Sequence, residues 1–439
     1  MLETGTNGCA GGLPSPLFRA DPCTLACLMA QYSTMPTLAK HTSFFNRQPF
    51  GIAVKNLLSL LLAACFLACC KNACAVPYKV GFLTLSHADQ ENGIRLDIAV
   101  WYPTESKKSP SLIRRLPVPF RAIRKASPAE GSFPLILLSH PSPGTRFSAY
   151  DTAMELAKDG YVAAAVTHPK DNINHMPDAL SWKLFADRVS DLSKTADLLL
   201  AHETLSSSID ANRIGVLGFD AGATAALIMG GALPSCENWK DYCRETSSDR
   251  DFYCNGWAKP RITKDICGKL PLTKSLADVR IKAVCAVQPS FGMLLTEKAL
   301  KYFHPALLLV RSEEKKADSK TGKKAEGKKE IGRDLVGMEK RFQMPPEEFR
   351  ISTSAEGALL APCPEALADE LPDLCYSLSV QQRRELHEEF MPALKRFWNN
   401  NLKNCALRTI PEPPDLTPPP PPKPEPKKDV KKPGKRKRR

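Results

Sequence analysis

The alternation of hydrophobic and polar positions divides the chain into strands and helices. Tyr78 to Leu85 and Ile94 to Tyr102 read as extended runs, and the polar Asp89-Gln90-Glu91-Asn92-Gly93 between them predicts a hairpin. From Ser106 to Gly131 a polar, basic linker is expected. Phe133 to Ser139 is a continuous apolar run, the pattern of a strand covered on both faces. Helical spacing follows from Ala149 to Lys158 and stops at Gly160. A second buried strand is expected at Tyr161 to Thr167, and a long amphipathic helix at Trp182 to His202. Arg213 to Leu217 then reads as a strand and Ala221 to Met229 as a helix. Three later strands are expected at Ile281 to Val287, Ala306 to Val310 and Phe349 to Thr353, and a closing helix at Val380 to Leu402.

Buried strands alternating with helices predict an α/β fold with a doubly wound, mostly parallel sheet, to which the opening hairpin adds antiparallel strands. Two segments interrupt the pattern. Residues 233–272 carry four cysteines and read as an insertion near the functional edge of the sheet; Lys315 to Lys329 is lysine-rich and reads as a mobile loop. Beyond Pro411 the chain contains Pro418 to Pro422 and ends in Lys435-Arg436-Lys437-Arg438-Arg439, the composition of an extended, disordered tail. The expected layout is an amino-terminal extension with an export signal (1–75), a main domain (76–407) and the tail (411–439).

Charge sharpens this layout. Of the formal net charge of +14, the tail supplies six, with ten basic against four acidic residues, and Arg311 to Arg333 supplies four, with nine against five. The remaining body is only mildly basic, which argues against a nucleic-acid surface on it. The tail itself has the chemistry to contact an anionic membrane or a cell-envelope polymer.

The amino end has the marks of export: Arg47 and Lys55 precede an apolar run from Leu57 to Cys70, too short and interrupted to favour a spanning helix. Ala73-Cys74-Ala75 suits signal-peptidase cleavage, which gives a periplasmic or extracellular protein starting near Val76. Leu62-Ala63-Ala64-Cys65 resembles a lipobox, which would make Cys65 a lipidated amino terminus, and an uncleaved anchor is a third reading. Eight cysteines follow the signal, and an even number in an exported body suggests disulfides. Cys363 and Cys375 flank a short segment and form the first candidate pair, while Cys236, Cys243, Cys254 and Cys267 are expected to pair among themselves. Their spacings lack the paired knuckles of a zinc site, so no metal or other cofactor is expected.

The strand Arg213 to Leu217 runs into Gly218-Phe219-Asp220-Ala221-Gly222 and then a small-residue helix. This is the strand–turn–helix of the nucleophile elbow, G-x-S-x-G, with Asp in the place of Ser. Together with Val100-Trp101-Tyr102-Pro103, Leu138-Ser139-His140 before Gly144, Gly160 to Pro169 followed by Asp171-Asn172, Ile209 to Gly215, and Leu360-Ala361-Pro362-Cys363 before Cys375, it makes residues 78–402 resemble the secreted dienelactone-hydrolase-like branch of the α/β-hydrolases, close to platelet-activating-factor acetylhydrolase-like esterases.

The resemblance implies an α/β-hydrolase fold and a Ser–His–Asp triad. Each triad position is substituted. Asp220 stands at the elbow, Glu356 at the position of the His, and only Glu313 or Glu314 follows the strand that should supply the acid. No His lies between His304 and His387 to replace the base. The oxyanion loop becomes His140-Pro141-Ser142-Pro143-Gly144, in which Ser142 and Ala221 are the expected N–H donors. Three simultaneous losses point to a catalytically degenerate hydrolase whose pocket binds a small lipid or ester-like ligand. The alternative is an active hydrolase with Asp220 as nucleophile. His140 and His168, at strand ends, are expected to be structural, and His175 is a loop residue within possible reach of the pocket. The sequence leaves ligand, disulfide connectivity and oligomeric state open.

Overall fold

The computed structural model describes residues 77–89, 93–113, 118–177, 179–245, 251–270, 275–312, 335–353, 355, 357–363, 375 and 377–404. The expected export signal, the lysine-rich loop, the tail, Glu313, Glu314 and Glu356 lie outside the described residues.

Ten strands form one sheet in the order β10-β9-β8-β7-β5-β6-β2-β1-β4-β3. Strands β5 (Phe133–Ser139), β6 (Val162–Thr167), β7 (Ile209–Phe219), β8 (Ile281–Val287), β9 (Ala306–Ser312) and β10 (Glu347–Ile351) run parallel to their neighbours. The hairpin β1 (Lys79–Asp89) and β2 (Ile94–Thr104) is antiparallel, and β2 joins the parallel block antiparallel to β6. The segment expected as a linker, 106–131, instead contains β3 (Ser111–Ile113) and β4 (Phe120–Arg124), and β4 pairs in parallel with β1. Phe120, Ala122 and Ile123 are buried there while Arg121 and Arg124 are exposed, so a short strand between β1 and the edge strand β3 was hidden by its solvent-side arginines.

Alternation along β5 divides the core. Leu135 and Leu137 join one apolar cluster, with helices α2 (Trp182–Leu200) and α3 (Ala221–Met229). Ile136 and Leu138 join the other, with α1 (Tyr150–Lys158) and α5 (Val380–Trp398). A strand apolar on both faces is stable only where helices cover both, which is why these runs are continuous in sequence. The insertion contains α4 (Trp239–Glu245) and helical turns over residues 258–266, tied by the disulfides Cys236–Cys267 and Cys243–Cys254. Cys363 and Cys375 form the third. Three disulfides fit an oxidising, extracellular environment. Cys285 is a buried free thiol on β8, its pKa pushed up by burial. Among the described residues no helix is long and apolar enough to cross a membrane.

Candidate functional site

The carboxyl ends of β7, β5 and β6 lie side by side, and the chain turns at Asp220 as it leaves β7. Asp220 has φ 52° and ψ −116°, a conformation that an L side chain adopts at a cost of about 1–3 kcal/mol. The surrounding backbone enforces it. Asp220 N–H donates to Val287 O at 3.0 Å, and its carbonyl accepts from Ala223, Thr224 and Ser290 N–H. The flanking glycines allow the packing: a Cβ on Gly218 would lie 2.1 Å from Gly222 O, and one on Gly222 would lie 2.3 Å from Ser139 O. The elbow inferred from the glycine spacing is present, with Asp220 at its apex and the buried Ala221 opening α3.

Ser142 does not present a free donor, as the oxyanion reading expected. Its N–H donates to Asp220 Oδ2 at 2.9 Å. The elbow carboxylate therefore occupies the donor that would face a developing oxyanion. Ser142 Oγ donates to Asp171 Oδ1 at 2.6 Å. Asp171 in turn accepts from Arg188 Nε at 2.7 Å and from Arg188 Nη2. The same guanidinium donates to the carbonyls of His140 and Pro141 and to Ser139 Oγ. Arg188 is 1% exposed and Asp171 3%. A buried cation thus fastens α2 to the β5–α1 loop and holds Ser142 against the elbow. Neither Arg188 nor its role was foreseen. The available signal was a charged residue on a stripe shared with Leu184, Phe185, Val189 and Leu192, where helical spacing calls for an apolar side chain.

Both histidines at the strand ends are interior groups, as expected. His168 N–H donates to His140 Nε2 at 3.1 Å, so the His140 ring proton sits on Nδ1, 2.7 Å from Pro141 O. His168 lies between Ser139 Oγ (2.8 Å from Nε2) and Asp191 Oδ2 (2.9 Å from Nδ1). The order Ser–His–Asp is that of a catalytic relay, but Ser139 is 0% exposed and receives Arg188, so the relay is sealed inside the protein. His175 is exposed, with Nδ1 3.2 Å from Pro169 O.

Burial, Arg188 and, for His168, His140 hold both imidazole pKa values well below the ordinary range. Burial and Asp187 push the Asp191 carboxyl up to about 8. The signs follow. Below pH 6.5 the unfolded chain takes up protons on the two rings that the folded chain refuses, so these rings make stability fall with acid. Asp191 acts oppositely between its ordinary value of 3.8 and about 8, where the folded chain keeps a proton the unfolded chain loses. Stability is expected to peak near neutrality and to fall on both sides, and His140→Gln should make the acid limb visibly shallower. Urea midpoints measured from pH 4.5 to 8.5 test this; an acid limb unchanged in the variant would refute the assignment.

No family model and no curated protein matches the sequence. Among solved structures the chain is similar to a ferulic acid esterase from Streptomyces cinnamoneus, at 16% identity and a TM-score of 0.48, covering 79% of this chain and 96% of that one. It is also similar to a protein described as a dipeptidyl aminopeptidase IV from Bacteroides ovatus, at 11% identity and a TM-score of 0.40, covering 74% of this chain and 36% of that one. By its own strand order, its helices on both sheet faces and its strained elbow between β7 and α3, the chain has the α/β-hydrolase fold.

Proposed function

We propose that this chain is an exported protein of esterase ancestry, from the dienelactone-hydrolase-like and platelet-activating-factor-acetylhydrolase-like branch, which has lost ester hydrolysis and keeps its cleft for a small lipid or ester-like ligand. The Ser142 N–H bond to Asp220 Oδ2 carries this reading. Acyl transfer needs that donor for an oxyanion. An anion forming about 4 Å from a fixed carboxylate would be opposed by about 4 kcal/mol at the dielectric of a protein surface, roughly a thousandfold in rate. The ring nitrogens of His140 and His168 are engaged by other groups, so neither serves as a base for Asp220.

The retained strain at Asp220 favours a second reading, in which the carboxylate is itself the nucleophile. Hydrolysis of a short-chain nitrophenyl ester by the folded chain and its Asp220→Ala variant separates the two. The expected result is no turnover above buffer in either. Turnover that disappears in Asp220→Ala would establish the nucleophile reading instead. The double variant Asp220→Ser/Glu356→His, which restores two positions of the triad, is expected to gain measurable activity where Asp220→Ser alone does not.

A further inference from the structure

We infer that the disulfide-tied insertion carries a docking face for an anionic lipid bilayer. This face is independent of any chemistry at Asp220. Along residues 258–266, Ala258, Ile262 and Ile266 are fully buried at a spacing of four, which fastens the segment to the core. Its outer side carries Lys259, Arg261 and Lys264, all exposed, with exposed Lys269 just beyond. The one acid in this stretch, Asp265, is half-buried. Beside these cations stand Phe252 and Trp257, 47% and 50% exposed, with ring centroids 5.9 Å apart. Large aromatics left half in water, next to a row of cations on a rigid support, have the composition of an interfacial membrane contact.

The support is rigid for reasons on both sides. Cys243–Cys254 and Cys236–Cys267 close the insertion around this face. Asn255 Oδ1 accepts from the N–H groups of Trp257 and Ala258, which fixes where the indole emerges. The favoured occupant follows from charge and from ring geometry. The face is cationic, so it suits an anionic surface. Arg261 lies 4.5 Å above the Trp257 ring and occupies one of its faces, and Phe252 is tilted by 52° against it. Successive bases need open, stackable faces; a bilayer interface needs only apolar edges at the level of the phosphates.

The face leads inward to the elbow. Phe252 contacts Tyr253, whose ring lies 4.9 Å from Phe291 and whose hydroxyl accepts the Phe291 N–H at 3.1 Å. The neighbouring Ser290 N–H donates to Asp220 O.

Trp257 supplies a local probe. Of the five tryptophans, Trp101, Trp239 and Trp398 are buried and Trp182 is half-buried, so Trp257 is the exposed one. The purified chain is mixed with vesicles of phosphatidylcholine and phosphatidylglycerol, and with phosphatidylcholine alone. The expected result is a blue shift with the anionic vesicles and quenching by brominated lipid, both lost in Trp257→Phe. Lys259→Glu/Arg261→Glu/Lys264→Glu should weaken partitioning by well over ten-fold, since each cation contributes about five-fold. Phe252→Ala/Trp257→Ala should weaken it too. The run 57–70 and the basic tail are identical in all these proteins, so a difference in binding between them reports on the insertion. Vesicle binding without quenching of Trp257, equal binding by the variants, no binding at all, or loss of single-stranded oligonucleotide binding with vesicle binding intact would each overturn the proposal.

Discussion

Replacing Arg188 by Met is expected to destabilise the chain by about 3–5 kcal/mol, the range seen when one partner of a buried ion pair is removed. The change leaves the Asp171 carboxylate in the interior with the Ser142 hydroxyl as its remaining side-chain donor, and strips the carbonyl of His140 of the Arg188 donor, while Pro141 O keeps only His140 Nδ1–H. Methionine fills much of the volume, so the loss reads the charge and its hydrogen bonds rather than a cavity. Asp171→Asn makes the complementary deletion. Because both act through one pair, the double variant should be milder than the sum of the singles by at least about 1 kcal/mol. Urea unfolding of the four proteins completes the cycle. A loss under 1 kcal/mol in Arg188→Met, or strict additivity, would show that this cation does not hold the loop.

The molecule explains which parts of this design were legible. The central stretches of strands β5 to β9 could be read because helices cover both faces, and so those stretches are apolar without a break. The elbow could be read because Gly218 and Gly222 stand where any side chain would strike backbone. The cysteines could be grouped but not fully paired, since four cysteines admit three connectivities and only folding brings Cys236 to Cys267 across 31 residues. Strand β4 escaped because its pairing with β1 is long-range and its arginines look like a linker. Arg188, Asp171 and Asp191 escaped for a deeper reason. Each looks like an ordinary surface charge, and becomes a core residue only when α2 is laid against the β5–α1 loop.

That same close approach makes the second large effect testable. Gly222→Ala is expected to cost about 2–3 kcal/mol, the upper range for forcing extra volume into a packed core. Two effects compete. Position 222 lies in the first turn of α3, where Ala is preferred over Gly by about 1 kcal/mol in helix propensity. Against this, the new methyl would lie 2.3 Å from Ser139 O and 2.7 Å from both Ser139 C and His140 O. These atoms belong to the end of β5, which pairs with β6 and β7 and is pinned by Arg188, so they cannot move aside singly. The clash should therefore prevail, either by lifting α3 from the sheet or by pushing the Ser142 loop away from Asp220. Gly256, with nothing within 4 Å of its Cβ position, is the matched control; Gly256→Ala should shift stability by no more than about 0.5 kcal/mol. Thermal unfolding of both variants decides it: a stabilised Gly222→Ala would mean that helix propensity prevails, and that the elbow does not press against β5 as tightly as its glycines imply.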